Sequence, residues 1–191
     1  MPRLFTGLEL PSALRQELGR LAVPVPGAKW VEPENLHLTL RFAGDIDNRK
    51  ARDFADALAQ IDVPVFSLRL AGLGAFGGND PHAIWAAVEA GPELDQLARA
   101  NEKAARAAGL VPETRKFKAH VTLARLRGAS AEQVARVLER HATYKSDLVT
   151  IEEFVLFSSR PSTGGGPYAV ETVFPLAGSL ASFENERGTT W

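Results

Sequence analysis

At 191 residues, 45% of them hydrophobic and 24% charged, the chain has the makeup of a globular protein able to bury a core as one compact domain or two small lobes. Its net charge of -1 excludes a general attraction to polyanions, so a phosphate ligand must meet a local basic cleft. It has no cysteine, which excludes disulfides, Cys-ligated zinc, iron-sulfur clusters and thiol nucleophiles together. With no leader-like start and no long apolar run, the expected location is the cytoplasm.

In chain order, Arg3 to Glu9 reads as a strand, and Leu14, Leu18 and Leu21 recur at helical spacing behind Ser12 as N-cap. A Pro/Gly-rich link leads through Lys29-Trp30-Val31 and the turn Glu32-Pro33-Glu34-Asn35 into an alternating strand, Leu36 to Phe42. Phe54, Leu58 and Ile61 mark a helix. A strand from Val65 to Ala71, a turn containing Gly72, Gly74, Gly77 and Gly78, and a strand from Ala83 to Val88 follow. An alanine-rich helix ending near Gly109 precedes a second histidine strand, Phe117 to Arg125. A helix over Ala131 to Arg140 leads to strands at Leu148 to Phe157 and Tyr168 to Phe174. The loop between them includes Gly164-Gly165-Gly166, which reads as a hairpin turn because no Lys-Ser/Thr follows as in a P-loop.

Each half therefore runs strand, helix, histidine strand, helix, strand, and a further strand follows in each case, Ala83 to Val88 after the first being also the strand that opens the second. The pattern is that of an internal duplication in a single bilobal domain, with a first half about 1–82 and a second about 83–178. Folding the halves together about a pseudo-twofold axis brings both histidine strands to a shared cleft.

Alternation puts His37 and Thr39 on one strand face and Leu36, Leu38 and Leu40 on the other; His120 and Thr122 repeat this against Val121 and Leu123. Two imidazoles supply one general acid and one general base near neutral pH, the pair that displacement at a phosphodiester requires. Threonine hydroxyls beside them stabilise charge on the non-bridging oxygens. A single His on a strand is more often structural, but packing alone gives no reason to repeat it beside a hydroxyl. The scheme requires no metal and no cofactor.

At these residues the chain resembles the 2H phosphoesterase superfamily, defined by two His-x-Thr-x motifs, and within it the RNA 2',3'-cyclic phosphodiesterases formerly called 2'-5' RNA ligases. The likeness extends over Arg3-Leu4-Phe5, Trp30-Val31, Glu34 to Phe42 with Gly44, Gly72 to Phe76, Trp85, His120 to Arg125 and Gly166-Pro167-Tyr168. It implies an α+β, bilobal fold with two pseudo-twofold-related lobes, antiparallel sheets lining a central groove and helices outside. It also implies hydrolysis of a terminal 2',3'-cyclic phosphate to a 2'-phosphomonoester, with His37 as proton donor and His120 as acceptor. Partners would be RNA ends or small nucleotides bearing a cyclic phosphate, with a monomer as the acting unit and no membrane or obligate protein partner. Reversible 2'-5' joining in the same site, or a non-catalytic nucleotide-binding module, are the alternatives. Ala119 stands where the family commonly has proline, which implies a local backbone adjustment.

Arg125 resembles the family arginine after the second motif and is expected to clamp phosphate. Strict alternation sends it away from His120, so this role requires the strand to end or bulge near Ala124. Arg41 shares the His37 face by parity but reads equally as a salt-bridged arginine. Phe42 and Tyr168 are candidates to stack on a base, although Phe42 reads more readily as core. Trp30 and Trp85 are expected in the core, and His82 and His141 toward solvent. The run Arg115-Lys116-Phe117-Lys118 is the expected basic rim.

Overall fold

The computed structural model describes residues 2–160 and 166–180, and the two hydrophobic periods of the sequence account for its elements. Strands β1 (Arg3–Glu9), β2 (Ala28–Trp30), β3 (His37–Asp45), β4 (Phe66–Phe76), β5 (Ala83–Ala90), β6 (His120–Leu126), β7 (Val149–Ile151), β8 (Glu153–Ser159) and β9 (Ala169–Pro175) form one antiparallel sheet. Helices α1 (Ser12–Gly19), α2 (Asn48–Leu58), α3 (Pro92–Ala107) and α4 (Ala131–Arg140) cover one of its faces. The main core lies between them. There Leu14, Leu18, Phe54, Leu58, Leu94 and Leu97 pack against Leu38, Leu40, Val121 and Leu123. Each fully buried side chain of this size contributes about 1.5 to 3 kcal/mol.

The strand order is β7-β4-β5-β6-β3-β1-β8-β9, with β2 added beside β6. Between β3 and β6 the register records one pair, Leu38 opposite Val121, so two four-stranded lobes meet along a narrow seam. The strands after α2 and α4 cross over: β4 pairs with β5, and β8 pairs with β1. The first half thus lends β2 and β4 to the lobe built around His120, and the second half lends β8 and β9 to the lobe built around His37.

The two lobes share a register. Glu9 faces His37 as Ala87 faces His120, and Gly7 faces Thr39 as Trp85 faces Thr122. One residue later both ladders slip at the same place: Thr6 faces Arg41 and Ile84 faces Ala124, leaving Leu40 and Leu123 as extra residues. These are β-bulges, and they reverse the side-chain alternation beyond them.

The structure differs from expectation at several boundaries. Ser12 is the first helical residue, and Pro11 precedes it without a side-chain cap. Strand β4 continues through Gly72 and Gly74 to Phe76, so the β4–β5 turn begins only at Gly77. Gly72, at φ +75°, sits in a ladder irregularity between Leu70 and Leu73. Gly74 leaves room for the Trp85 ring, which a Cβ there would meet at 2.4 Å. Gly164 and Gly165 lie outside the described residues. Among the described residues, no helix is long and apolar enough to cross a membrane.

Candidate active site

The sheet face away from the helices carries both motifs. His37, Thr39, His120, Thr122, Arg125 and Tyr168 line one hollow of about 80 Å³, together with Val31 and Asn35. It adjoins a larger cleft of about 840 Å³ on the His37 side, lined by His37 and Thr39 but not by His120 or Thr122.

The same local device sets both imidazoles. His37 Nδ1 donates to the carbonyl of Asn35 at 2.8 Å, and His120 Nδ1 donates to the carbonyl of Lys118 at 2.7 Å, each two residues upstream. Because a carbonyl only accepts, Nδ1 keeps its proton in both rings and each Nε2 is left for chemistry. In the neutral ring of His37, Nε2 accepts from the Thr39 hydroxyl at 3.1 Å.

Aromatic rings hold both histidines. Around His37 stand Phe5, Tyr168 and Phe157, with centroids at 4.8, 5.0 and 5.7 Å. Around His120 stand Phe76 at 5.1 Å and Trp85 at 6.2 Å. Burial pushes the His37 pKa below its ordinary value; the hydrogen bond to the Asn35 carbonyl opposes this, and the charges of Arg125 and His120 add to it.

The bulges decide which neighbours reach the site. On β6, Leu123 and Ala124 are both buried, so Arg125 returns to the His120 face and lines the hollow. On β3, Leu40 and Arg41 are both buried, so Phe42 returns to the His37 face, 44% exposed, and lines the cleft. Arg41 therefore leaves the face that simple parity assigned to it. Its Nε donates to Glu102 at 2.5 Å, and its terminal nitrogens donate to the carbonyls of Phe42 and Val111. Phe42 is likewise not the core aromatic expected. The Arg3 guanidinium lies 5.2 Å from its ring centroid.

Tyr168 is held at the cleft by its backbone N–H, which donates to the Asn35 side chain at 3.3 Å. Trp85 is buried as expected, and Trp30 lines the cleft while its Nε1 donates to Val23. His82 is exposed, whereas His141 is half-buried with Nε2 enclosed. The basic lining comes from Arg3, Lys29, Arg125 and Arg160 rather than from residues 115–118. Arg115 instead pairs with Glu113, and the Lys118 ammonium rests 4.3 Å from the Trp85 ring centroid.

Sequence reasoning missed Asn35, Phe5 and Phe76 as site-forming residues. Asn35 acts through its backbone carbonyl, which side-chain identity does not reveal. Its position two residues before His37, matching Lys118 before His120, was the available signal.

The family described as LigT like Phosphoesterase matches the chain twice, over residues 8–85 and 86–168. The chain is similar to the RNA 2',3'-cyclic phosphodiesterase of Aquifex aeolicus, 31% identical over 185 residues covering 92% of this chain and 98% of that protein. It is 39% identical over 118 residues to the protein of that name from Aeropyrum pernix, a match covering 61% of this chain and 65% of the relative. Among solved structures it resembles E. coli LigT complexed with 3'-AMP, with TM-score 0.76 and 25% identity, covering 93% of this chain and 99% of that one.

Proposed function

The chain belongs to the LigT like phosphoesterases, a 2H phosphoesterase family, and we propose that it hydrolyses the terminal 2',3'-cyclic phosphate of RNA or a nucleotide to a 2'-phosphomonoester. One observation carries the reading: two histidines with the same Nδ1 anchoring turn their reactive edges, with two threonines and one arginine, onto a single hollow.

The unequal spaces beside the histidines support the assignment of roles. The large cleft borders His37 and suits the nucleoside, with Phe42 and Tyr168 beside the base. The ribose 3'-oxygen then lies toward His37, and water approaches phosphorus from the His120 side. His120 Nε2 takes a proton from the water as its oxygen bonds to phosphorus. The bond from phosphorus to the 3'-oxygen breaks, and protonated His37 Nε2 gives that oxygen its proton. Thr39, Thr122 and Arg125 stabilise the non-bridging oxygens as charge builds.

Burial, Arg125 and His120 disfavour a charged His37 in the free protein. A bound cyclic phosphate brings one negative charge next to it and offsets the positive charge of Arg125. The substrate thereby promotes protonation of its own general acid. Both motifs come from one chain, which supports a monomer as the acting unit. The matched registers of the two lobes support their origin by internal duplication.

The test is hydrolysis of a short RNA bearing a 2',3'-cyclic phosphate with EDTA present, comparing the unaltered protein with His37→Ala and His120→Ala. A 2'-phosphate product, lost in both variants, is expected. An unaltered protein that binds nucleotides but hydrolyses no cyclic phosphate would sink the catalytic reading in favour of a binding module.

A further inference from the structure

Around the histidines the lobes match in register, yet their rims differ in charge. The shared register makes Phe157, opposite Phe5, the counterpart of Phe76, opposite Ala83. Two residues before Phe5 stands Arg3, and three beyond Phe157 stands Arg160; the corresponding places on the other lobe hold Pro81 and Asn79. The His37 lobe alone carries a cationic pair there, and both arginines line the large cleft beside Phe42 and Tyr168.

Arg3 is fixed before any ligand arrives. Its Nη1 donates to Asp45 at 2.8 Å, its guanidinium lies over the Phe42 ring, and its backbone sits opposite Ser159, next to Arg160. Its Nε is buried without a hydrogen-bond partner. The contact a ligand can make is with the terminal nitrogens, and a guanidinium matches phosphate oxygens well. The Phe42 ring and the Asp45 carboxylate together hold the Arg3 side chain at the cleft. Among the described residues lining this cleft, Glu32 is the one carboxylate.

We infer that Arg3 and Arg160 form a second phosphate subsite, which takes the phosphodiester joining the terminal nucleotide to the one before it. The preferred substrate is then the end of an RNA strand that leaves the site over the His37 lobe, rather than a free cyclic nucleotide. This inference rests on the cyclic phosphodiesterase reading of the paired histidines. With the terminal base beside Phe42, the chain continues toward the arginines. Pinning Arg3 in advance lowers the ordering cost of binding.

The experiment measures kcat/KM on adenosine 2',3'-cyclic phosphate, on the same nucleotide with a 5'-phosphate, and on the dinucleotide ApA ending in a 2',3'-cyclic phosphate. The unaltered protein is expected to prefer the dinucleotide over the mononucleotide by about tenfold or more, as one charge-assisted contact of ordinary strength gives. In Arg160→Gln and in Arg3→Gln this preference collapses toward unity. Arg160→Gln keeps the test sound if Arg3→Gln, which also breaks the ion pair with Asp45, unfolds the protein. Equal rates on mononucleotide and dinucleotide, or a preference that survives both substitutions, overturn the subsite and leave the hydrolase reading standing. A gain from the 5'-phosphate as large as that from the dinucleotide overturns the assignment to an RNA strand. Hydrolysis of none of the three overturns the cyclic phosphodiesterase reading, and this inference with it.

Discussion

Phe42 and Arg125 occupy equivalent positions in the two lobes, each five residues after the start of its His-x-Thr motif and each turned to the site by a bulge at the same point of the ladder. A twofold-symmetric site would carry the same side chain at both. Here one lobe presents an aromatic ring and the other a guanidinium, so a pseudo-symmetric scaffold presents two unlike walls to a ligand.

Arg125→Lys is expected to lower kcat/KM by about a hundredfold, because an ammonium lacks the planar fork that holds two phosphate oxygens. Folding should be unaffected, since Arg125 is exposed. Steady-state kinetics on a cyclic phosphate, beside a thermal melt, checks both. A rate within threefold of the unaltered protein would remove Arg125 from the site.

The depressed pKa of His37 gives a prediction with a fixed sign. Its imidazolium is disfavoured by burial and by the charges of Arg125 and His120, so NMR titration of the ring should give a pKa below the usual 6.5 or so. Arg125→Gln removes one of those charges and should move the titration upward. As the proposed acid, His37 must be protonated, so kcat/KM falls as pH rises through its lowered pKa, and this limb should move to higher pH in Arg125→Gln. A downward movement would contradict the electrostatic account.

Stability should follow from the same depression. The unfolded chain takes up the His37 proton near its ordinary pKa, whereas the folded chain resists it. The His37 contribution is therefore fully present above the unfolded pKa and is lost as pH falls through the folded one. Denaturation curves at a series of pH values should show this loss, and His37→Gln should show less of it.

Arg41→Met should destabilise the fold by about 3 kcal/mol, since it leaves Glu102 half-paired and two carbonyls without their donor. Burial opposes ionisation of Glu102, but hydrogen bonds from Arg106, Arg41 and the Glu113 N–H outweigh it and hold the carboxyl below its usual range. Urea denaturation measures the loss. A change under 1 kcal/mol would mean that the pair adds little.

Gly74→Ala places a methyl 2.4 Å from the Trp85 ring, which must shift and take its packing against His120 with it. The expected cost is about 1 to 3 kcal/mol of stability together with a fall in kcat. Near-UV circular dichroism and kinetics should change together; altered stability with unchanged kcat would separate Trp85 from the catalytic centre.

The two histidine strands, the polar face of each and the helices that cover their apolar backs are written in local pattern, because period-2 and helical spacing follow from which side must be buried. His37, Thr39, His120 and Thr122 were legible for that reason. The fates of Arg41, Phe42 and Arg125 were only partly so. Alternation sent Arg41 toward the site and made Arg125 conditional on a bulge, and nothing in Leu40-Arg41-Phe42 announces that the ladder slips there. The tertiary structure decided it, since a bulge depends on how β1 and β5 pair with β3 and β6. It likewise decided the exchange of β4 and β8 between lobes and the gathering of Arg3 and Arg160 at one rim. Such relations join residues far apart in the chain through hydrogen-bond register, which a local pattern does not encode.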